Sequence, residues 1–426
     1  KAAAARGMNI MLDVVLNHVS FDAPLVEQKP EWFHGKGGIT DWSDPQQILD
    51  HDVHGLPDLA QENPEVYDHL LGHSLRWIEL LHPAGFRLDA VKHVPDTFWT
   101  KYNADIKTRA DPGFVSLGED LDGEPARVAR TMRDGRFDAM FDFPLHFAMV
   151  DVFCRDAHPG RLASILYADR LYPAAVGARR EGLVTLLDNH DLPRILSACG
   201  NEPGRVIDAV RFMMSARGTP SITWGTESGA RGVAEPDNRA DMRFQPHEIG
   251  DALRTWLDRR RTEPVFTAGA DRLLELTDNL FAYLRVHEGR AALIAYNAGA
   301  PTTLHLAGTW TDVETQAVAT DTLTLPQGSS VWMGTPPPRA EPAQVEISFP
   351  VTGAPTGEVR VAGSGPELGN WDPAKAPAAD SVMLPAGGAF AYKLVVMGQE
   401  GPEWQPGDNN YLLVKEPTTV PLRWDN

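Results

Sequence analysis

Three carboxylates follow short apolar segments, at positions where acid–base or nucleophilic chemistry is possible. Asp89 lies in "GFRLDAV", Glu119 in "SLGED" and Asp191 in "LLDNHD". Each one alone would more often be a helix cap or a loop anchor. Carboxylates that converge repel one another, however, and are kept where function or a cation requires them. Two carboxyl groups about 5 Å apart are what a retaining glycosidase uses, one as nucleophile and the other as acid/base.

Basic and imidazole side chains accompany these carboxylates. Arg87 stands two residues before Asp89, so on a strand both side chains face the same way. Its guanidinium would favour the ionised form that a nucleophile needs, and the alternative is a plain internal salt bridge. His18 and His190 each follow an Asn. Neutral imidazole and amide groups suit hydrogen bonding to sugar hydroxyls, although a lone histidine is more often a satisfied core residue.

The elements that must position these groups alternate between strand and helix from residue 8 to about 225. The strand candidates are "NIMLDVV", "GFRLDAV", "FVSLGED", "AMFDFPL", "LVTLLDN" and "SITWGTE", with helical stretches such as "EVYDHLLGHSLRWIELL" between them. This pattern predicts a parallel sheet covered by helices, either a doubly wound sheet or a closed (β/α)₈ barrel. Polar groups at nearly every strand end favour the barrel, because barrel active sites are built there.

The pattern also predicts a division into domains. A Gly-, Pro- and Trp-rich connection at about 19–60 is too long for an ordinary loop, so we expect a small inserted subdomain in a catalytic region at 1–262. From 263 to 334 the segments indicate an antiparallel β domain, with "NLFAYLRVHEGRAALIAYNAG" as two strands around a Glu-Gly turn. A Pro-rich linker at 335–344 precedes an all-β sandwich at 345–426.

Composition narrows the possible partners. The 426 residues are 42% hydrophobic and 23% charged, with a formal net charge of −19. This balance argues against nucleic acid or an anionic membrane as a partner, since phosphate contacts need a basic face. No apolar run is long enough to span a bilayer, and the first residues lack the pattern of a secretory signal. Spacing leaves open whether Cys154 and Cys199 pair, and we slightly favour free thiols.

Four segments carry a family resemblance. "DVVLNH" (13–18), "GFRLDAVKH" (85–93), "GEDLDG" (118–123) and "LLDNHD" (186–191) resemble, in order, the four signature regions of the alpha-amylase family of glycoside hydrolases. The resemblance implies a (β/α)₈ barrel whose first two strands this chain does not contain. It also implies roles for individual residues: Asp89 as nucleophile, Glu119 as general acid/base, Asp191 as the acid that hydrogen-bonds the distorted sugar, Arg87, His18 and His190 as supports at the scissile bond, Lys92 toward the aglycone sugars, and Glu235 and Arg239 near a distal glucose.

The resemblance further implies a calcium ion that clamps the inserted subdomain onto the barrel. The family's ligands correspond here to Asn17, to Asp58 in "LPDL", and to the backbone carbonyl of His93. Hard oxygen ligands of this kind suit Ca²⁺. The alternative for Asp58 is a helix cap before "LAQENPEV".

The last segments, "ELGNWDPAKA", "LPAGGAFAYKLV" and "PEWQPGDNNYLLV", resemble the starch-binding module often attached to amylases. Trp371 and Trp404 would then stack on glucose rings, and Lys393 and Asn409 would hydrogen-bond the hydroxyls. Packing alone is the alternative role for either tryptophan.

Together these features predict retaining endo-hydrolysis of α-1,4 bonds in starch, glycogen or maltooligosaccharides. The alternatives are a glucanotransferase, a maltogenic amylase, or a starch-binding protein without catalysis. Because starch does not enter cells, we expect a secreted protein, and we expect a monomer.

Overall fold

The computed structural model describes residues 2–172, 182–338, 343–399 and 401–424. The chain divides into two compact units. The first comprises 1–143 and 172–184, and the second comprises 144–171 and 185–426. The predicted boundary at residue 262 stays a prediction, and residues 339–342 of the predicted linker lie outside the described part of the chain.

The first unit is built on parallel strands that are neighbours in chain order, as the alternating pattern predicts. These strands are β1 (Met11–Val14), β2 (Gly85–Leu88), β3 (Val115–Gly118), β4 (Ala139–Phe141) and the start of β5 (Leu183–Leu186). Its helices are α1 (Pro24–Gln28), α2 (Pro45–Asp50), α3 (Pro64–Leu81), α4 (Asp96–Lys107) and α5 (Pro125–Asp134). Both α1 and α2 lie in the connection predicted to be an inserted subdomain.

Local sequence explains why these helices form where they do. The side chain of Asn63 accepts a hydrogen bond from the backbone N–H of Glu65, and Pro64 occupies the first turn of α3, where its missing N–H costs nothing. The apolar residues of α3 then recur at helical spacing and bury Val66, Leu70 and Ile78 against the sheet side of the unit.

The second unit begins with helices. They are α6 (Phe143–Met149), a π-helical turn (Val150–Cys154), α7 (Gly160–Ala168), α8 (Ile195–Ala198), α9 (Pro203–Ser215), α10 (Glu248–Thr262) and α11 (Pro264–Ala268). Strand β6 (Thr219–Ser221) follows β5 in the sheet order. The predicted strand "SITWGTE" therefore overlaps the observed strand only at Ser221. The rest of the predicted segment leaves the sheet, since Gly225 takes a left-handed conformation (φ 86°) and a 3₁₀ turn follows at Thr226–Ser228.

An antiparallel sheet follows the helices in the second unit. Its strands are β7 (Ala270–Leu276), β8 (Leu280–His287), β9 (Arg290–Asn297), β10 (Thr302–Asp312), β11 (Val318–Leu325) and β12 (Gly328–Gly334), in the order β11-β10-β12-β9-β8-β7. The predicted hairpin around Glu288 and Gly289 is confirmed. Both residues have positive φ, 46° and 79°, as a two-residue hairpin turn of this hand requires.

The last part of the second unit is also all-β. Its strands are β13 (Gln344–Ser348), β14 (Val351–Thr352), β15 (Glu358–Gly363), β16 (Ser381–Pro385), β17 (Ala389–Gly398), β18 (Gly401–Trp404), β19 (Asn410–Leu413), β20 (Thr418–Thr419) and β21 (Leu422–Arg423). Helix α7 packs on β17 and β19. The ring of Tyr167 meets Phe390 edge-on at 5.2 Å, so this β region shares apolar packing with the helical part of its unit.

Cys154 and Cys199 are joined in a disulfide, so the preference for free thiols is wrong. Sequence spacing could not show this, because the π-helical turn and the end of α8 are brought together only by packing. No helix in the described ranges combines the length and apolar character that crossing a bilayer requires.

Candidate active site

Arg87 organises a cluster of carboxylates in the first unit. Its Nη1 contacts Asp89 and lies 2.9 Å from Asp13 Oδ1, while its Nη2 lies 3.1 Å from Glu119 Oε1. The Arg87, Asp89 and Glu119 side chains are mostly buried, at 11%, 19% and 10% exposure, so solvent screens these contacts little. Although burial opposes it, the negative charges of Glu119, Asp13 and Asp89 raise the pKa of Arg87 above its ordinary value. The guanidinium therefore stays charged beside both predicted catalytic carboxylates.

Strand ends set the positions of these side chains. The backbone N–H of Asp89 donates to the carbonyl of Val14 on β1, and that of Glu119 donates to Leu88 on β2. Immediately after Asp89 the chain turns through Ala90, which has a left-handed conformation (φ 50°), and the Ala90 N–H donates to Glu119 Oε2 at 3.2 Å. Backbone hydrogen bonds thus hold both residues on neighbouring strand ends, while Arg87 contacts both carboxylates and the Ala90 N–H holds that of Glu119.

The contact of Asp13 with Arg87 is not predicted by the sequence analysis. Asp13 stands opposite Arg87 in the register of β1 and β2 and is 56% exposed, so it presents a third carboxylate to the guanidinium. The signal was an acid inside an apolar strand, "MLDVV". Only the parallel register shows which cation it meets.

Two further predicted residues flank this cluster. His18 Nδ1 lies 3.3 Å from Asn17 Nδ2, and burial lowers the pKa of His18 against the opposing charge of Asp89. A neutral imidazole there suits hydrogen bonding to a hydroxyl group. Lys92 donates to the carbonyl of Leu121 at 3.2 Å, and its Nζ lies 6.0 Å from the ring centroid of Trp42.

A second group of predicted residues meets within the second unit. Asp191 contacts Arg239 Nη2 at 2.6 Å and His190 Nε2 at 3.1 Å, and the same Arg239 nitrogen lies 2.6 Å from Glu235. Arg239 also donates through Nε to the carbonyl of His190 at 3.0 Å. Two residues predicted at the scissile bond, His190 and Asp191, thus lie beside Arg239, which was predicted near a distal glucose together with Glu235.

A buried ion pair supports that group and was not foreseen. Asp188 accepts from Arg194 Nε at 3.1 Å, from the Ile195 N–H at 2.9 Å and from Thr226 Oγ1 at 2.9 Å. Asp188 and Arg194 are each nearly fully buried. Because Asp188 lies two residues before His190, these bonds hold the segment that carries His190 and Asp191.

Two of the predicted calcium ligands each have a buried side-chain oxygen without a hydrogen-bond partner in the part of the chain that the structure describes. Asn17 Oδ1 and Asp58 Oδ1 are both buried, and neither has a hydrogen-bond partner within the described residues. The two residues are close, since Leu59 N–H donates to the Asn17 carbonyl at 2.9 Å and His18 pairs with Asp58 in a β-bridge. The other Asp58 oxygen lies 2.5 Å from His34 Nδ1, and burial raises the pKa of Asp58 to about 6. His93, the third predicted ligand, is also buried.

The predicted starch-contacting residues lie on the last β region. The rings of Trp371 and Trp404 are 6.3 Å apart between centroids and tilted by 43°, and Trp404 is 36% exposed. Lys393 donates to the carbonyl of Gly407, and Asn409 immediately precedes β19. Exposure of two neighbouring indole rings to solvent costs free energy, and such exposed apolar surface is typical of a binding site.

Comparison of the sequence with models of known families shows the family of this chain. The model described as "Alpha amylase, catalytic domain" matches residues 1–279, and the model described as "Starch binding domain" matches residues 344–422. The chain belongs to the alpha-amylase family. Its fold and its family membership thus agree with the prediction from the four signature segments.

Relatives in this family include both hydrolases and transferases. The chain is 30% identical over 319 residues to a beta/alpha-amylase from Paenibacillus polymyxa, an alignment that covers 70% of this chain but 25% of that protein. It is 27% identical over 462 residues to a cyclomaltodextrin glucanotransferase from Klebsiella oxytoca, covering 91% of this chain and 70% of that protein. Among solved structures, the alpha-amylase from Geobacillus thermoleovorans superposes with a TM-score of 0.71 at 29% identity and covers 78% of each chain.

Proposed function

We propose that this alpha-amylase family member hydrolyses internal α-1,4-glucosidic bonds of starch and related glucans with retention of anomeric configuration. The observation that carries the proposal is the placement of Asp89 and Glu119 on neighbouring strand ends with Arg87 between them. Paired carboxylates on neighbouring strand ends suit a nucleophile and an acid/base acting on one bond, and the cation favours the ionised form that the nucleophile needs.

The roles that the signature segments imply for these residues lead to the following steps. Asp89 attacks the anomeric carbon while Glu119 protonates the departing glycosidic oxygen, so a glycosyl ester forms at Asp89 as the glycosidic bond breaks. Glu119, now ionised, then takes a proton from water, the water oxygen attacks the anomeric carbon, and Asp89 is released. Arg87 keeps Asp89 charged before the attack and stabilises the carboxylate as it leaves. From its motif, Asp191 has the role of hydrogen-bonding the distorted sugar.

We also propose a bound calcium ion held by Asn17, Asp58 and the carbonyl of His93. Support comes from the two buried oxygens without partners on Asn17 and Asp58, which are the hard donors that Ca²⁺ prefers. A cation there would offset the cost of burying the Asp58 charge. Its contribution would be structural, since it would tie the start of the inserted connection to the end of β2.

The starch-binding domain suggests how the substrate is reached. Trp371 and Trp404 would stack on glucose rings of polymeric starch, with Lys393 and Asn409 contacting hydroxyls. Because this substrate is a large extracellular polymer, we propose a secreted location for the protein.

The decisive experiment compares the intact protein with Asp89→Asn and Glu119→Gln on soluble starch and on a maltooligosaccharide blocked at its non-reducing end. We expect wild type to release products from both substrates, with the α-anomer first by NMR. The two variants should lose activity by several orders of magnitude. Asp111→Asn, a variant of an exposed carboxylate in the same unit, is the matched control and should stay active.

Other outcomes separate the alternatives. Cyclic products would indicate a glucanotransferase, as in the Klebsiella relative. Maltose alone, with no attack on the blocked substrate, would indicate a maltogenic enzyme that acts from chain ends. Starch binding without any product from wild type would disprove the enzymatic proposal.

A further inference from the structure

A cavity of about 260 Å³ lies in the second unit between the end of β6 and the start of α10. Its lining includes Arg194, Trp224, Asn238, Arg243 and His247. Neither Asp191 nor the distal-sugar residues Glu235 and Arg239 line it. The cavity is therefore separate from the group of residues around Asp191, although Asn238 and Arg239 are neighbours in sequence.

One residue of the lining, Asn238, is almost fully buried. Asn238 is 2% exposed, and its Nδ2 donates to the carbonyls of His190 and Leu192 at 3.0 and 3.3 Å. Its Oδ1 is buried and has no hydrogen-bond partner among the described residues. An amide oxygen in that state costs free energy unless a buried water or another donor pairs with it, so Asn238 adds a polar group to this side of the cavity.

The charges around the cavity cancel. Arg194 is neutralised by the buried Asp188, and it also donates to the carbonyl of Trp224 at 2.6 Å. That leaves two arginines and two aspartates in the lining, namely Arg231, Arg243, Asp237 and Asp241. None of these four forms an ion pair within the described part of the chain, so their polar groups are available to a ligand. A lining with donors and acceptors but no net charge suits a neutral ligand with several hydroxyl groups.

An aromatic wall completes the site. Trp224 is 43% exposed while its Nε1 is held by the carbonyl of Ala240 at 3.2 Å and the Arg194 guanidinium lies 5.6 Å from its ring. The indole is therefore fixed at its edge and still accessible. Elsewhere in the lining, His247 packs so closely on Gly229 that a Cβ at residue 229 would lie 2.5 Å from the imidazole. Glycine at this position, with φ of 70°, lets the ring form part of the wall.

We infer that this cavity, with Trp224 as an accessible aromatic part of its lining and polar side chains around it that form no ion pair among the described residues, binds a neutral sugar of one or two rings, and that it is a second glucan site of the catalytic domain. The identity of the sugar as a glucan rests on the proposed function. The existence of a site for a neutral polyhydroxyl ligand rests on the cavity alone.

Maltose is the probe, and the intact protein labelled with 5-fluorotryptophan reports on the site. Trp224→Phe identifies the ¹⁹F resonance of Trp224 among the 11 tryptophans. The titration is done in a Glu119→Gln background to prevent turnover. We expect the Trp224 resonance to shift saturably with maltose. Removing donors by Arg231→Ala with Arg243→Ala should weaken the apparent affinity about tenfold or more.

Phe244→Ala is the matched control, because Phe244 is 91% exposed on the same loop and does not line the cavity. It should leave the titration unchanged. A Trp224 resonance that does not move, or that moves equally in the double arginine variant, would overturn the inference. Hydrolysis of soluble starch by unlabelled wild type is measured in parallel. If starch is hydrolysed but the Trp224 resonance does not shift with maltose, only the sugar site in the cavity is rejected. If the resonance shifts but starch is not hydrolysed, only the proposed enzymatic function is rejected.

Discussion

The guanidinium of Arg87 lies 3.1 Å from Glu119 while it also contacts Asp89, so one cation serves both carboxylates of the proposed reaction. Arg87→Lys replaces a planar fork by a point charge that cannot hold two carboxylates in the same geometry. We predict that kcat/KM on maltooligosaccharides falls by about 10²- to 10³-fold, mostly in kcat. Steady-state kinetics would check this, with the exposed Arg76→Lys as control. An unchanged kcat would show that the contact is only structural.

If Asn17, Asp58 and His93 hold calcium as proposed, removal of the ion should destabilise the protein. If Ca²⁺ binds only the folded state, saturating ion at about 100 times its Kd adds roughly 2.7 kcal/mol to the free energy of unfolding. We therefore expect a chelator to lower Tm, and added Ca²⁺ but not Mg²⁺ to restore it. Asp58→Asn should make Tm insensitive to the chelator. A chelator without effect on wild type would contradict the assignment of Asn17, Asp58 and His93.

The tilted pair of Trp371 and Trp404 should carry starch binding. Truncating either residue to alanine removes one stacking surface, and we predict about a tenfold or greater loss of affinity for granular starch. Hydrolysis of short soluble oligosaccharides should be unaffected. Sedimentation with starch granules measures the binding. Trp77→Ala, a partly exposed tryptophan of the first unit, should bind normally. Equal losses in all three variants would argue against a specific platform.

The ion pair of Arg170 and Glu367 links the 3₁₀ turn that follows α7 (Asp169–Leu171) to the starch-binding domain. Both guanidinium nitrogens bond the carboxylate, at 2.9 and 2.7 Å, and both side chains are less than one third exposed. A bidentate pair with this burial should contribute about 1 kcal/mol of coupling. A double-mutant cycle with Arg170→Ala and Glu367→Ala, followed by urea unfolding, measures it. A coupling near zero at low salt would contradict the prediction.

His146 should make stability depend on pH. It is 4% exposed, and burial lowers its pKa to about 4 from 6.5. Between these values the unfolded chain binds a proton that the native chain does not, so the free energy of unfolding falls as pH decreases from 6.5 to 4, by roughly 3 kcal/mol from this residue. Urea unfolding of wild type and His146→Gln at pH 7 and pH 4.5 should show a smaller loss in the variant. Identical losses would mean that His146 does not titrate in this window.

Local patterns of residues predicted those parts of the fold that depend on neighbouring positions in the chain. Apolar segments between helical stretches predicted the strands that carry Asp89 and Glu119, because side-chain period and burial are properties of neighbouring residues. Glu288 and Gly289 predicted a hairpin for the same reason, since the turn conformation is decided within a few residues.

The tertiary structure alone decided which distant groups meet. Asp13 and Arg87 are 74 residues apart and meet only through the register of β1 and β2. The pairing of Cys154 with Cys199 and the cavity around Trp224 and Asn238 likewise depend on packing between elements. Local sequence restricts backbone angles and burial, but contacts between distant residues are selected by the free energy of the whole packed unit. Candidate site residues within a single motif were therefore predictable, whereas contacts between side chains far apart in the sequence were not.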